Sequence, residues 1–464
     1  MRGFNLAIIF LITFITSCKP AETEFRATEN FSTINNWNDP NPALTSEINT
    51  FLQSKMNNIP TCTEENVKNH PNCRLEKIEA GTAEPLPSSK GYRVMLIDSQ
   101  GMMLAAYTRY RNRVLENLFE DEKTGEYNAR PPALYIPQAA KEILLDSFQN
   151  PAYEKIPSEL LTPSLDTFIE KFPFLNSSTG HGVIIFNYIA NNSPNSQFVL
   201  VHENDSKFNS ILCGNDSEDN KIKEISKLFD RQANSILSKI KQYDINFISY
   251  SQGYSARTLR QILQNNRCRE VSTKLITNIN KVYFEYFLKP LTTKSKALLV
   301  QANSGSDYLI KSKHDKDFYS DCQELTNRVR VGTANILEQP LPFEGSKNIE
   351  YLNEYEKNAK LCTDLYINFA VEIKRPFRYN KGVIHFSKYN IGAYPTSGTA
   401  ISPSFATPVA VSYLINLKMQ LKNDYPNNEL SNNMLLKKLY ENNNFIFDPS
   451  LHKQLPIYEL QLLK

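Results

Sequence analysis

Short apolar runs that stop at a small-residue turn recur along this chain. "YRVMLID" (Tyr92 to Asp98) is continuous, ends in an acid and leads into Ser99, Gln100 and Gly101. That is the pattern of a strand buried on both faces, with a turn at its carboxyl end. "INFISYSQG" (Ile245 to Gly253) and "ALLVQANSG" (Ala297 to Gly305) repeat it. Ahead of the second run, Ile222, Ile225, Leu228, Phe229, Ala233, Ile236, Leu237 and Ile240 recur at steps of three and four, which predicts one amphipathic helix over residues 220–243. A second helical stretch, residues 278–288, precedes the third run. Strands alternating with helices predict an α/β domain with a mostly parallel central sheet flanked by helices. In such sheets the chemistry gathers at the carboxyl ends of the strands.

The first eighteen residues are of different material. "MRGFNLAIIFLITFITSC" has one basic residue and then an apolar stretch from Phe4 to Ile15, too short to span a membrane but suited to a secretory signal. Its end, Ile15 to Cys18, resembles a bacterial lipobox, which implies cleavage before Cys18, acylation of that cysteine, and attachment to a membrane of the cell envelope. The expected division is therefore a signal peptide over 1–17, a tether or small extension over 18–85, and one large domain over 86–464. "GTAEPLPSSKG" (Gly81 to Gly91) reads as the linker.

Composition narrows the partners more than the fold. The chain of 464 residues is 41% hydrophobic and 22% charged, enough for a sizeable core. A net charge of +3, with no basic stripe interleaved with aromatics, argues against nucleic acid. Beyond Cys18 stand six cysteines, at 62, 73, 213, 268, 322 and 362. In an exported chain they fit up to three disulfides, with Cys62 and Cys73 the most local pair; spacing does not choose among the other pairings. None lies in a CxxC or near a suitably spaced histidine, so structural zinc is not expected.

"GTAISPSFATPVAVSYLINL" (Gly398 to Leu417) sets Ser404 and Pro408 at the start of an otherwise apolar run. Alone, Ser404 reads as a helix N-cap, with Pro408 tolerated because first-turn amides lack intrahelical partners. Three more polar residues follow predicted strands or open apolar stretches: Asp98, His181 in "STGHGVIIFNYIA", and Asn303 in "LLVQANSG". Each has an ordinary reading as a turn or surface residue; together they make a Ser-His-Asp set with an amide donor.

With these segments side by side, the chain resembles the subtilases, the subtilisin-like serine peptidases. "VMLIDSQG" is similar to that family's strand ending in the catalytic Asp, "GHGVIIFNYIA" to its HGTHVAG segment, and "FATPVA" to the GTSMATPHVA serine motif. "ALLVQANSG" resembles the strand carrying the oxyanion Asn, and "INFISYSQG" the substrate-lining strand, with Ser251 and Gly253 at matching positions. "VRVGTA" (Val329 to Ala334) is similar to the family's VIAVGA. The segments stand in family order, and Asp, His, Ser is the triad order that distinguishes this family. The resemblance implies a three-layer subtilisin-like domain in which Asp98, His181 and Ser404 form the triad, Asn303 the oxyanion donor, and Ser251 and Gly253 the substrate edge. It implies an endopeptidase acting on protein or peptide as a monomer. It implies no cofactor; calcium, common in the family, would sit on loop oxygens that the sequence does not place.

This chain departs from the pattern at several points. Ser402 and Pro403 precede Ser404 where the family has Gly and Thr. Val183, Ile184 and Ile185 follow His181 where the family has a helix, although β-branched residues favour a strand. Tyr254 replaces a glycine of the substrate-lining motif, where an aromatic would narrow the specificity pocket. A catalytically silent binding lipoprotein of the same fold is therefore the alternative reading, and an esterase using the same triad a third, against which the absence of a GxSxG elbow counts.

Overall fold

A computed structural model describes residues 41–79, 91–99, 102, 105, 110–146, 156, 162–172, 181–193, 196–254, 256–303, 320, 323–334, 364–368, 403–442, 444–448 and 453–459. The expected leader with Cys18, and the cysteines at 322 and 362, lie outside the described residues.

The first described elements are helices α1 (Pro42–Met56) and α2 (Asn66–Asn69) and strand β1 (Leu75–Glu79). Within 18–85, the region read as a tether or small extension, residues 41–79 are folded. Cys62 is bonded to Cys73, and β1 pairs antiparallel with β5 (Ala133–Pro137). Helices α3 (Gln138–Asp146) and α4 (Thr162–Lys171) complete this small unit, with α1 packed on α4. The unit thus draws on both sides of the expected boundary at residue 85. The Lys171 amine donates to the Ile59 carbonyl at 2.6 Å, tying the two parts together.

The large sheet is built from β2 (Arg93–Asp98), β3 (Val114–Glu120), β4 (Tyr127–Ala129), β6 (Gln197–His202), β7 (Phe247–Tyr250), β8 (Leu298–Ala302), β9 (Arg328–Ala334), β10 (Leu365–Asn368), β11 (Asn444–Asp448) and β12 (Lys453–Glu459). Its spatial order is β11-β12-β10-β9-β8-β7-β2-β6-β3-β4. Every pairing is parallel except at the two edges, where β11 and β4 run antiparallel to their neighbours. The runs read as strands are β2, β7 and β8, and they are neighbours.

Alternation along each strand splits the core into two layers. Val94, Leu96, Phe198, Leu200, Phe247, Leu298 and Val300 face one side, covered by α5 (His181–Asn192), α11 (Pro403–Asp424) and α12 (Asn432–Asn442). Met95, Ile97, Val199, Val201, Ile248 and Leu299 face the other, covered by α6 (Ser206–Cys213), α7 (Glu218–Tyr243), α8 (Ala256–Asn265) and α9 (Thr273–Tyr283). Helices on both faces explain why the strands are apolar without interruption. The protein is a mixed α/β structure with a mostly parallel sheet.

Helix α7 forms where its periodicity predicts. The Ser217 hydroxyl accepts from the Asn220 amide at 3.3 Å, Glu218 and Asp219 lie in the positive first turn, and Asp244 ends the helix in a left-handed conformation. Ile225, Leu228, Phe229, Ala233, Ile236 and Ile240 are its buried stripe. The stretch read as helix over 278–288 spans the end of α9 and a π-turn, Phe284–Leu288, which leads into α10 (Lys289–Thr293) and its Pro290. A second disulfide joins Cys213 at the end of α6 to Cys268 beyond α8. Among the described residues no helix is long and apolar enough to cross a membrane.

Candidate active site

Strand alternation decides which way Asp98 points. It follows Val94 and Leu96 on the face covered by α5 and α11, and it closes β2 at its carboxyl end. His181 is the first residue of α5, and its Nδ1 lies 2.8 Å from Asp98 Oδ2. The Asp98 side chain is 1% exposed and that of His181 is 19% exposed, so one end of the imidazole is held in the protein while the ring stays within reach of solvent. Val183 to Ile185 are helical despite their β-branching. Val183, Ile185, Phe186 and Ile189 are fully buried, and tertiary packing outweighs the few tenths of a kcal/mol per residue by which such residues disfavour helix.

Ser404 is the second residue of α11 and is half-buried. Its neighbour Phe405 packs its ring against that of His181, with centroids 4.9 Å apart. Helices α5 and α11 pack on each other, and the contact of His181 with Phe405 brings their amino termini together beside Asp98 at the end of β2. Pro408, expected in the first turn, is instead the sixth residue of α11. It therefore offers no N–H to the Ser404 carbonyl one turn earlier. Thr407 and Ser412 hydroxyls donate back to the carbonyls of Pro403 and Pro408, at 2.8 and 3.0 Å.

Asn303 directly follows β8 and is 1% exposed; its backbone N–H donates to the Val331 carbonyl at 2.8 Å. Ser251 directly follows β7, is buried, and its hydroxyl has no hydrogen-bond partner among the described residues. Gly253 is half-buried two residues on. Asp98, Ser251 and Asn303 thus sit at the carboxyl ends of three neighbouring strands, β2, β7 and β8, which are about 4.8 Å apart. The structure therefore gathers Asp98, His181, Ser251 and Asn303 at one end of the sheet, with the amino terminus of α11 above them.

Tyr254 does not narrow this end of the site. Its ring packs among Phe208, Phe229 and Tyr283, with centroids 4.7, 5.5 and 5.1 Å away, and its hydroxyl donates to Asp205 Oδ1 at 2.5 Å. It belongs to the α6–α9 layer, on the far side of the sheet from α11.

Beneath the site lies a group of buried acids that the apolar runs did not single out. Glu203 follows β6, and its backbone N–H donates to the Asp98 carbonyl at 3.0 Å. Burial, and then the charges of Asp205 and Glu120, hold its carboxyl well above the usual range. Glu120 is pushed up to about 7, chiefly by burial. Burial likewise raises Asp205. The available signal was "QFVLVHE" (Gln197 to Glu203), an apolar run ending in polar residues, the same signature that drew attention to Asp98. Next to this group His202 is stacked on Phe119 at 4.1 Å, and burial and then Arg130 push it down to about 3, so it is neutral. Among the described residues no three His, Cys, Asp or Glu side chains are grouped as a metal would need.

Comparison with family models, with curated proteins and with solved structures gives no match for this chain.

Proposed function

We propose that the protein is an exported serine peptidase with a three-layer subtilisin-like domain, anchored to a bacterial cell envelope by lipid on Cys18. The observation that carries this reading is the 2.8 Å hydrogen bond between His181 and the buried Asp98, made beside the residue that follows Ser404. Asp98 fixes the imidazole tautomer with hydrogen on Nδ1, which leaves Nε2 to accept a proton. The Ser404 hydroxyl attacks the peptide carbonyl, and His181 takes its proton. His181 then gives that proton to the leaving amine, and water releases the acyl group by the same route in reverse. The oxyanion is met by the Asn303 amide and by the Ser404 N–H, at a helix start whose unpaired amides favour negative charge. Removing such an asparagine costs about two to three powers of ten in rate, a magnitude measured in subtilisin itself.

A fluorophosphonate probe tests the reading, because covalent capture needs an activated hydroxyl. The wild type should label, and Ser404→Ala should not. If the wild type stays unlabelled the peptidase reading falls, and the silent binding lipoprotein takes its place. For the anchor, Cys18→Ser should move the protein from the membrane fraction to the soluble one; unchanged partition would refute lipidation at Cys18.

A further inference from the structure

Four groups at the strand ends form a closed circuit that begins and ends at Asp98. The Glu203 backbone N–H donates to the Asp98 carbonyl at 3.0 Å. The Glu203 carboxyl accepts a hydrogen bond from the side-chain amide of Gln252. The Gln252 Oε1 in turn accepts from the Ser99 hydroxyl at 2.7 Å, and Ser99 is the residue bonded to Asp98 along the chain. Gln252 stands between Ser251 and Gly253, and its own carbonyl accepts from the Gln301 side-chain amide at 3.4 Å. The circuit therefore ties the carboxyl ends of β2, β6 and β7 together.

We propose that Glu203 is a positioning residue of this site, which through Gln252 holds the Ser251–Gly253 segment in register with Asp98. The proposal rests on the peptidase reading for its consequence in catalysis, and on the circuit alone for its consequence in structure. Glu203 touches neither His181 nor the place of the reacting bond; it acts through its neighbours.

The chemistry of the surroundings says in which form Glu203 does this. Glu120 faces it from β3, Tyr127 from β4, Tyr250 from β7, and Tyr254 and Asp205 from the loops that follow the strands, while the charge of Asp98 acts on it from the other face of β2. All of these are acids or phenols. A buried carboxylate among them would be repelled by its neighbours and stripped of water, so the neutral acid is the stable form. Both of its oxygens have partners: Oε2 meets the Gln252 amide, and Oε1 meets the Tyr127 hydroxyl at 3.0 Å. A phenolic hydroxyl both donates and accepts, so this pair accommodates the acid's own proton. As pH rises through the elevated range of Glu203, its proton is lost, and the new negative charge repels Asp98, Glu120 and Asp205 and strains the register of the strand ends that the circuit holds.

The test uses the full chain in three forms: wild type, Glu203→Gln and Glu203→Ala. Glutamine reproduces the neutral acid in shape and keeps one donor and one acceptor at every pH. Two readouts are taken: amide hydrogen exchange of residues 251–254, and the rate of fluorophosphonate capture at Ser404 as a function of pH. Glu203→Ala should speed exchange and slow capture by about tenfold, the scale set by one buried hydrogen bond. Glu203→Gln should match the wild type at neutral pH and abolish the fall of capture on the alkaline side. Ser99→Ala, which opens the circuit without touching the buried acid, should shift both readouts the same way by a smaller amount. If Glu203→Ala leaves exchange in this segment unchanged, the proposal is overturned. It is overturned equally if Glu203→Gln behaves like Glu203→Ala. If the wild type captures no probe, the peptidase reading fails, and the exchange measurement still decides whether Glu203 positions the segment. Should Glu203→Ala fail to fold, the pH dependence of Glu203→Gln and the exchange of Ser99→Ala decide it.

Discussion

Replacing Asp98 with Asn tests the site more sharply than deleting any side chain, because shape is kept and only charge and donor pattern change. Asp98 Oδ2 accepts from His181 Nδ1 at 2.8 Å, with the carboxylate side chain 1% exposed. An amide in its place has two orientations. With its oxygen toward Nδ1 the tautomer is preserved, and only the charge assistance of the bond is lost; charge-assisted bonds are about twice as strong as neutral ones, so the rate falls about tenfold. With its nitrogen toward Nδ1 the imidazole is driven to carry hydrogen on Nε2, where it can no longer accept the serine proton. The same replacement in a well-characterised triad costs about four powers of ten. Capture of a fluorophosphonate by Asp98→Asn should therefore be slower than wild type by between about tenfold and ten-thousandfold. Global stability should change little. The lost bond disfavours folding, but Asp98 also raises Glu203 and Asp205, so removing its charge relieves two buried acids. A melting temperature that stays within a few degrees, measured beside the capture rate, separates a chemical effect from unfolding. Capture at the wild-type rate by a folded Asp98→Asn protein would refute the assignment of Asp98 and His181 as a working pair.

Two further predictions concern stability. Glu120 binds its proton more tightly when folded, moving from 4.5 up to about 7, so its contribution is fully present below pH 4.5 and is lost as pH rises toward 7; the total is about 3 kcal/mol. His202 runs the other way, contributing above pH 6.5 and losing that contribution as pH falls toward 3. Urea midpoints should thus show a smaller loss between pH 5 and pH 8 in Glu120→Gln than in the wild type, and an equal loss would count against a buried, protonated Glu120. The disulfides should differ in weight. Cys213–Cys268 closes a loop of 55 residues and Cys62–Cys73 one of 11, so chain entropy gives about 4 and about 3 kcal/mol. Denaturation of the double Cys→Ala variant of each pair, Cys213 with Cys268 or Cys62 with Cys73, measures this, and the longer loop should cost more.

Much of the sheet was legible because burial on both faces leaves one signature, a continuous apolar run, and β2, β7 and β8 carry it plainly. Helix α7 was legible because one face is polar. Helix α5 was not: its buried face is built of β-branched and aromatic residues whose local preference is for strand, and only contacts with β2 and α11 reverse that preference. The folding of residues 41–79 was hidden for a related reason, since β1 finds its partner β5 more than fifty residues away and a disulfide supplies what a short apolar pattern cannot. Tyr254 misled in the other direction. Its position in a motif suggested intrusion into the site, but strand geometry turns it into the opposite layer, where three aromatic rings receive it. Of the candidate site, residue types were readable directly, and the pairing of Asp98 with His181 only through the resemblance that put both in one triad. His181 and Asp98 are 83 positions apart, and nothing local to either indicates the other.

The sheet also explains why one residue can serve two environments. Asp98 presents its side chain to the α5 and α11 face, where His181 receives it, while its backbone carbonyl is held by Glu203, whose side chain lies with the acids and phenols of the other face. A period of two along a strand makes this division unavoidable: neighbouring residues at a strand end must look into opposite layers. A carboxyl with a histidine partner therefore lies on one side, and carboxyls whose burial favours the protonated form lie on the other. Asp98 is paired with a histidine and stands at the edge of solvent access. Glu203 and Glu120 are enclosed, and burial makes each keep its proton to a higher pH than an ordinary carboxyl. If both layers had offered the same surroundings, three carboxylates at adjacent strand ends would have repelled one another, and the strand ends would have splayed. The asymmetry of the two layers is thus what separates the histidine-paired Asp98 from the acids and phenols packed behind it, although all of them meet at the carboxyl edge of one parallel sheet.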